Sequence, residues 1–498
     1  MNRTTVSLIA VAAALAAVTG FASVNAPDGG DDGPKAAKRL PVERTSLLCP
    51  EPSTSDLAET SYTAFTPSSG GADSGGGKAE LLPAPKVLTD APQGGKDKAK
   101  GTKPFLSQKA PGKPVAAEES GADAPALVGS ADGALAPGWA VQQTTTVSAG
   151  AGRGVQGANC TAPDTDFWFP GASTAKGRDD YIHLTNPDDS AAVVDVELYG
   201  RDGALKADVG KSIQIQPRSS VPVLLSTLTG KPQTNLTMHV VARSGRVAAA
   251  VHSSDDKLGG DWLPASTDPT SRLVLPGIPE DATSVRLVAF APGADDADLK
   301  VRLASPTGPI TPAGHETLHV KSGMTAAVDL GDVTKGEAGS LLLTPTEKDV
   351  PVVAALRVTR GKGDKQETAF IPATAPVGAR ATAADNRAKG STLSLVAPGK
   401  TARVKVTASP GTEAGDPVTK TYTVKGGTTL SAAPPVPSGL KGSYALTVEP
   451  QSGGPVHAAR TLELPENGIP MFTIQTLPDD RGTVSVPEAK QDLEVLQK

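Results

Sequence analysis

The sequence is poor in the residues that usually build large cores or enzyme sites. Aromatic residues make up 3% of the 498 residues, and cysteine occurs twice. The cores must therefore be built from Val, Leu, Ile and Ala. The formal net charge of −5 is slight for this length, which argues against binding to nucleic acid or to an anionic membrane surface. Apolar residues at helical period are almost absent, which excludes a helical bundle.

Enzyme motifs are also scarce. A serine-nucleophile elbow, a phosphate-binding loop and a dinucleotide fingerprint are all missing from the sequence, so it gives no support to nucleophilic or phosphate chemistry. We therefore expect a protein that is not an enzyme, with no catalytic residue, bound metal or cofactor.

One segment matches the H-E-x-x-H motif of zinc metallopeptidases, and its residues are His315, Glu316, Thr317, Leu318 and His319. The motif works on a helix, where both imidazoles reach one zinc ion and the glutamate activates water. A proline and two glycines flank this segment, which disfavours a helix. On a strand the two histidines would lie ~13 Å apart, too far to share a metal ion. A zinc peptidase is therefore only a remote alternative.

A hairpin-like pattern recurs along the chain. A short apolar strand, a polar turn and an aromatic strand ending at proline occur at Gly154–Pro170, Arg246–Pro264, Pro351–Pro372 and Pro455–Pro478. The repeats are spaced by roughly 100 residues, which indicates an array of domains, because solenoid repeats are much shorter.

Between these hairpins, apolar and polar residues alternate at period two in short segments such as VVDVELYG and LKVRLAS. This alternation is typical of strands with one buried face. About seven such strands per roughly 100 residues predict an all-β protein of tandem immunoglobulin-like β-sandwich domains. The predicted units cover residues 46–174, 175–270, 271–376 and 377–480, followed by a C-terminal tail at 481–498.

The first unit contains residues 68–123, a Gly/Ser-rich run followed by a Lys- and Pro-rich run. Such a composition predicts a disordered insertion. Cys49 and Cys160 flank it. We expect them to form a disulfide that staples the unit, with two unpaired thiols as the alternative.

The N-terminus predicts export. Residues 1–26 combine Arg3, a continuous apolar run and small residues before Ala26, as in a cleaved signal peptide. An uncleaved signal-anchor is the alternative, and it would be the only contact with a membrane. Residues 27–45 are predicted to be a tether. Both alternatives place the rest of the chain outside the cytoplasm.

Four aromatic residues occupy similar places in the recurring hairpins: Trp168, Trp262, Phe370 and Phe472. An aromatic residue at the same place in every unit is typical of a core anchor. The alternative, a platform that stacks on sugar rings, predicts that the tryptophans are exposed.

With these segments, the chain resembles an uncharacterised family of exported actinobacterial proteins that carry a domain of unknown function. The resemblance rests on CTAPDTDFWFPGA around Cys160, on YIHLTNPDDSAAVVDVELYG and on VAAAVHSSDD…GGDWLPA. It implies a secreted or membrane-tethered β-rich protein and carries over no catalytic residue or ligand. We therefore expect a non-catalytic cell-envelope protein that binds or spaces an unknown protein or glycan. A carbohydrate-binding accessory module of the cell wall is the alternative.

Overall fold

The computed structural model describes residues 38–68, 76–87 and 103–486, and they form an all-β protein. The chain divides into two compact units, one of residues 1–40 with 483–498 and one of residues 41–482. The described part of the smaller unit is a two-stranded ribbon in which β1 (Lys38–Pro41) pairs with the last strand of the chain. The larger unit contains four β-sandwiches.

The first sandwich consists of eight strands: β2 (Arg44–Cys49), β3 (Ala58–Phe65), β4 (Ala79–Ala84), β5 (Leu106–Gln108), β6 (Val115–Ser120), β7 (Ala126–Asp132), β8 (Ala140–Val147) and β9 (Gly154–Asn159). The second consists of β10 (Asp166–Ala172), β11 (Arg178–Thr185), β12 (Ala192–Gly200), β13 (Gly203–Ala204), β14 (Ile213–Ile215), β15 (Ser220–Leu224), β16 (Leu236–Ser244), β17 (Ala248–Asp255) and β18 (Gly259–Leu263).

The third sandwich consists of β19 (Leu273–Ile278), β20 (Ser284–Phe290), β21 (Ala297–Ala304), β22 (Pro309–Ile310), β23 (Thr317–Val320), β24 (Thr325–Asp329), β25 (Gly339–Pro345), β26 (Val353–Arg360) and β27 (Glu367–Pro372). The fourth consists of β28 (Ala381–Asn386), β29 (Ser391–Ala397), β30 (Ala402–Gly411), β31 (Ala414–Asp416), β32 (Val418–Val424), β33 (Thr428–Ala432), β34 (Ser438–Lys441), β35 (Tyr444–Gly453), β36 (His457–Glu463) and β37 (Phe472–Thr476). The last strand, β38 (Thr483–Val486), completes the ribbon with β1. Four single-turn 3₁₀ helices occur at Gly121–Asp123, Gly133–Leu135, Asp208–Gly210 and Leu225–Thr227.

All four sandwiches have the same strand order. We name their eight common strands a to h in chain order, so that β9, β18, β27 and β37 are the h strands. In each sandwich one sheet has the order a-f-c-d and the other e-b-g-h, and all registered pairs are antiparallel. The extra short strands β13, β22, β31 and β34 add to these sheets or pair with each other. The b–e and c–f pairs also occur in immunoglobulin sandwiches, but here strand a pairs with f, and g pairs with b.

The two sheets of each sandwich enclose an apolar core of Val, Leu, Ile and Ala with few aromatic residues. In the third sandwich, for example, Leu275, Leu287, Val301 and Leu343 come from both sheets and are at most 1% exposed. Strand β21 shows the expected alternation, since its buried residues are separated by exposed Asp298, Lys300 and Arg302 along most of its length. Period-two patterning thus fixes which face of each strand is buried.

The first sandwich differs from its prediction in two ways. Residues 76–87 and 103–123, which were expected to be disordered, contain its strands c, d and e. Leu81 and Leu106 are buried in its core, and the surrounding Gly, Lys and Pro mask these short strands in the composition. Residues 69–75 and 88–102 of the predicted insertion lie outside the described residues.

The second difference concerns its boundary, which was predicted at residue 174. Strand h of the first sandwich ends at Asn159, and Asp166–Ala172 is strand a of the second sandwich. The supposed hairpin Gly154–Pro170 therefore joins two sandwiches, and the real g–h hairpin of the first sandwich is β8–β9. Its strands are rich in Gln and Thr, so their apolar pattern is weak.

The predicted signal segment 1–26 and residues 27–37 of the predicted tether lie outside the described residues, as do residues 487–498. The described residues of the tether and of the C-terminal tail differ from the prediction, since they contain β1, the start of β2 and β38. Within the described part of the chain, no helix has the length and apolar character required to cross a membrane.

Candidate functional site

The four h strands meet at one place, which we call the hub. Strand β9 contacts β18, β18 contacts β27, β27 contacts β37, and β37 contacts β9. This cycle means that the fourth sandwich packs against the first, so that the array is closed. The three clear hairpin repeats in the sequence are the g–h hairpins that form the hub, together with β8–β9.

Closure is supported by hydrogen bonds between the first and fourth sandwiches. Thr144 donates to the Asp385 carboxylate (2.8 Å), and Asn159 donates to the Thr476 carbonyl (3.0 Å). The Arg460 guanidinium, which is fully buried, donates to the Gln142 side chain (3.1 Å). Hydrogen bonds of this kind hold polar strand faces together at positions where an apolar contact would be expected.

Asp261 connects three sandwiches at the hub. Its carboxylate accepts hydrogen bonds from the Gly157 backbone N–H of the first sandwich (3.0 Å) and from Thr473 Oγ1 of the fourth (3.0 Å to Oδ2). Asp261 is 0% exposed, and burial raises the pKa of its carboxyl well above the usual value, although these hydrogen bonds oppose the shift.

Glu367, at the start of β27, is the second buried acid of the hub. Neither of its carboxyl oxygens has a hydrogen-bond partner among the described residues, and the side chain is 0% exposed. Burial raises the pKa of Glu367 to about 9, with a smaller opposing effect of Arg153 and a reinforcing effect of Asp261. At neutral pH Glu367 is therefore protonated.

Two glycines make room for Glu367. Gly154 and Gly259 both have positive φ, +133° and +74°, and a Cβ on either would overlap Glu367 Oε1 or press on it. Glycine is required at both positions because it tolerates this backbone conformation and leaves space for the carboxyl group.

The g–h turns of the first three sandwiches, together with Arg357 on β26, line a partly open pocket of about 540 Å³, which we call the hub pocket. Its charged lining residues are Arg153, Asp255, Asp256, Lys257, Arg357 and Asp364. Arg153, Asp255 and Arg357 are partly buried, whereas the other three are exposed. The Arg153 guanidinium ties the turns together, since it donates to the carbonyls of Lys257 (2.9 Å) and Gln366 (2.8 Å).

The aromatic residues that the sequence singles out are all buried, with Trp168 8%, Trp262 2%, Phe370 1% and Phe472 0% exposed. Trp262 and Phe370 lie on h strands, opposite His252 and Arg357 on strand g. Trp168 does not occupy an equivalent place, because it lies on strand a of the second sandwich.

Several of these aromatic residues join neighbouring sandwiches. Phe370 of the third sandwich belongs to the core of the second and lies 5.4 Å from the Arg178 guanidinium. Phe472 of the fourth sandwich belongs to the core of the third and lies 4.7 Å from the Arg360 guanidinium. Trp168 stacks on His239 (3.7 Å between ring centroids) and on Phe290 of the third sandwich (5.5 Å). These aromatic residues anchor interfaces between sandwiches rather than the interior of a single sandwich.

The HETLH segment has no helix. His315 lies in a turn before β23, and His319 lies on this strand, half exposed, with Nδ1 2.8 Å from Asp298 Oδ1. The described residues contain no group of three or more His, Cys, Asp or Glu side chains placed to hold a metal ion. The helical geometry on which the zinc interpretation depends is therefore missing.

Cys49 and Cys160 form a disulfide with a Cα–Cα distance of 4.4 Å. It joins the end of strand a of the first sandwich to the residue after its strand h. It therefore fixes β9, which is one of the four strands of the hub.

The sequence did not predict the hub. Its polar residues, such as Gln142 and Asn159, lie on strands whose apolar pattern is weak. These two bond to each other, but their partners in the fourth sandwich lie more than 240 residues away. One signal was available, since Asp261 and Glu367 stand in otherwise small or apolar segments at the start of the h strands. A buried acid in such a segment indicates a contact outside its own sheet, and Asp261 makes hydrogen bonds of this kind to Gly157 and Thr473.

The fold and the hub define a class of protein: a closed, all-β assembly of four sandwiches built from one chain. The chain belongs to a family of unknown function, DUF5719, whose model matches residues 115–435, from strand e of the first sandwich into the fourth. The resemblance to an uncharacterised family is thus confirmed. No curated protein matches the chain.

Among solved structures, one titled "Structure of infectious bursal disease virus Gt strain" aligns with 94% of this chain and 88% of its own chain. The sequence identity is 9% and the TM-score is 0.11.

Proposed function

We propose that this protein is an exported, non-catalytic scaffold of the cell envelope that binds a partner on a rigid surface. The closure of the ring supports this proposal most strongly. Each sandwich is held by two neighbours, and the first is also stapled by the Cys49–Cys160 disulfide. Binding to a preorganised surface avoids the ordering cost that flexible linked domains would have.

The closed arrangement of the four sandwiches also favours a binding role over a role as a spacer. The backbone N–H of Val42 donates to the carbonyl of Gly482 (3.2 Å), so the chain enters and leaves the four-sandwich unit at one place. A spacer must hold its two ends apart, and this unit brings its ends together.

Location outside the cytoplasm is supported by the disulfide, because structural disulfides persist in oxidising compartments. The predicted N-terminal export segment agrees with it. The alternative of a sugar-binding module loses its basis, since Trp139, Trp168 and Trp262 are all buried.

The proposal is tested by producing the full chain in its native host, fractionating the cells and measuring binding of the purified protein to separated envelope glycan and envelope proteins. We expect the chain outside the cytoplasm with its cysteines oxidised. We also expect saturable binding to one envelope component, which heat denaturation abolishes. A reduced, cytoplasmic protein, or an exported protein that neither fraction retains, would contradict the proposal.

A further inference from the structure

The hub pocket is lined by three of the four sandwiches. Arg153 comes from the first sandwich, Lys257 from the second, and Arg357 and Asp364 from the third. Its volume of about 540 Å³ lies in the range of small-molecule sites, roughly 300–1,000 Å³, which also commonly lie between domains.

Arg357 points to the kind of ligand. Its guanidinium makes no hydrogen bond or ion pair with any residue in the described part of the chain, whereas neighbouring Arg178 and Arg286 are paired with Asp180 and Asp329. In the β20–β26 register Arg357 lies directly opposite Arg286, an arrangement of like charges that destabilises a sheet. Partial burial and these two arginines lower the pKa of Arg357 to about 10, and the carboxylates of Asp255 and Asp180 oppose this shift. An anionic group bound to Arg357 would relieve this repulsion.

The remaining charges narrow the ligand class. Arg153, Lys257 and Arg357 are balanced by the carboxylates of Asp255, Asp256 and Asp364, which repel a multiply charged anion such as phosphate. The same carboxylates attract an ammonium group. A ligand with one carboxylate and one ammonium group matches both sets of charges.

We propose that the hub pocket binds an amino acid or short peptide with free termini. The ligand's carboxylate pairs with the Arg357 guanidinium, and its ammonium group lies among the three aspartates that line the pocket. A planar guanidinium holds a carboxylate through two parallel hydrogen bonds. This site goes beyond the proposed scaffold role and needs no envelope partner.

The test is saturation-transfer NMR on the purified full chain with four probes: L-alanyl-L-alanine, N-acetyl-L-alanyl-L-alanine, L-alanyl-L-alaninamide and inorganic phosphate. We expect the free dipeptide to bind most tightly, because only this probe carries both charged groups. Arg357→Gln should weaken its binding by at least about tenfold, the loss of one charge-assisted interaction. The matched control is Arg302→Gln, which changes an exposed arginine on β21 of the same sandwich and should leave binding unchanged.

The comparison among probes uses the unmodified protein, so it remains informative if Arg357→Gln fails to fold. Stronger binding of phosphate than of the dipeptide, equal binding of the acetylated or amidated probe, or no binding of any probe would overturn the proposal. So would unchanged dipeptide binding by a folded Arg357→Gln variant. None of these results bears on envelope binding, so the two proposals fail separately.

Discussion

The interiors of the four sandwiches and the hub between them are both buried, yet they are built from different residues. The interiors hold mainly Val, Leu, Ile and Ala. The hub holds Asp261, Glu367, Arg460 and Gln142, all at most 2% exposed. Apolar burial is non-directional and tolerates many partners, whereas a buried polar group needs particular partners. The sandwich interiors therefore supply stability, and the hub specifies how the sandwiches assemble.

The disulfide belongs to both regions, because it links the core of the first sandwich to strand β9 of the hub, and its removal should have the largest effect. The double variant Cys49→Ser/Cys160→Ser frees a loop that spans 111 residues of sequence separation. We expect a loss of roughly 4–5 kcal/mol of stability in the chain-entropy model, measured by chemical denaturation. Reduction of the unmodified protein should produce the same loss, and reductant should not change the double variant. Equal stability of the oxidised and reduced protein would show that the staple has no role.

The contribution of the apolar interiors to stability is tested by Leu287→Ala in the third sandwich, because Leu287 is 0% exposed. Removing a buried leucine side chain leaves a cavity and costs about 2–5 kcal/mol. The thermal unfolding midpoint should fall clearly. Leu40→Ala is the control, since Leu40 is 46% exposed, and it should have little effect. A similar midpoint for both variants would contradict the assignment of Leu287 to an apolar core.

The hub is tested through its pH dependence. The pKa of Glu367 is raised from 4.5 to about 9 in the folded protein, so the folded state binds this proton more tightly than the unfolded state. Stability is therefore greatest below pH 4.5 and falls as the pH rises toward 9, by about 1.4 kcal/mol per pH unit for this group. The raised pKa of Asp261 adds a slope of the same sign. Denaturation at pH 5.5 and 8.5 measures the combined fall.

Glu367→Gln removes the contribution of Glu367 to that slope, because a neutral amide does not ionise. We expect the variant to be more stable than the unmodified protein at pH 8.5 and closer to it at pH 5.5. Glu316→Gln, at an exposed glutamate, serves as the control and should keep the full slope. A slope that Glu367→Gln leaves unchanged would show that this carboxyl is not buried in the hub.

The smallest expected effect on stability is that of changing Arg357, which lines the hub pocket. Without ligand, Arg357→Gln should stabilise the protein by about 0.2–1 kcal/mol, because it removes the like charge opposite Arg286. Thermal melting at low ionic strength checks this, and added salt should reduce the difference by screening. A clear destabilisation would mean that Arg357 already has a partner within the chain.

The contrast between interiors and hub also explains what could be predicted from the sequence. Strands such as β21 could be predicted because buried and exposed residues alternate along most of their length. The pairing of Cys49 with Cys160 could be predicted from an even number of cysteines in a chain expected to be exported. The prediction failed in the first sandwich because its short strands lie in a Gly- and Lys-rich part of the sequence. It also failed for Trp168, because the segment DFWFP resembles GDWLP of the second hairpin although it belongs to a different strand. The contacts of the hub could not be predicted from the sequence. Gly157 and Asp261 lie 104 residues apart in sequence, and only the packing of the first sandwich against the second brings them to hydrogen-bond distance.

Cross-linking mass spectrometry on the unmodified protein can show whether the first and fourth sandwiches are in contact and the ring is closed. Lys113 Nζ of the first sandwich donates to the carbonyl of Glu413 (3.3 Å), whose backbone N–H donates to the carbonyl of Lys441 (3.4 Å). A short amine-reactive reagent should therefore join Lys113 to Lys441 within one monomer. The control is a link between Lys257 and Lys365 on the g–h turns of the second and third sandwiches, which consecutive packing alone would allow. Both links together are the predicted result. A Lys257–Lys365 link without a Lys113–Lys441 link would contradict a closed ring and leave an open chain of sandwiches.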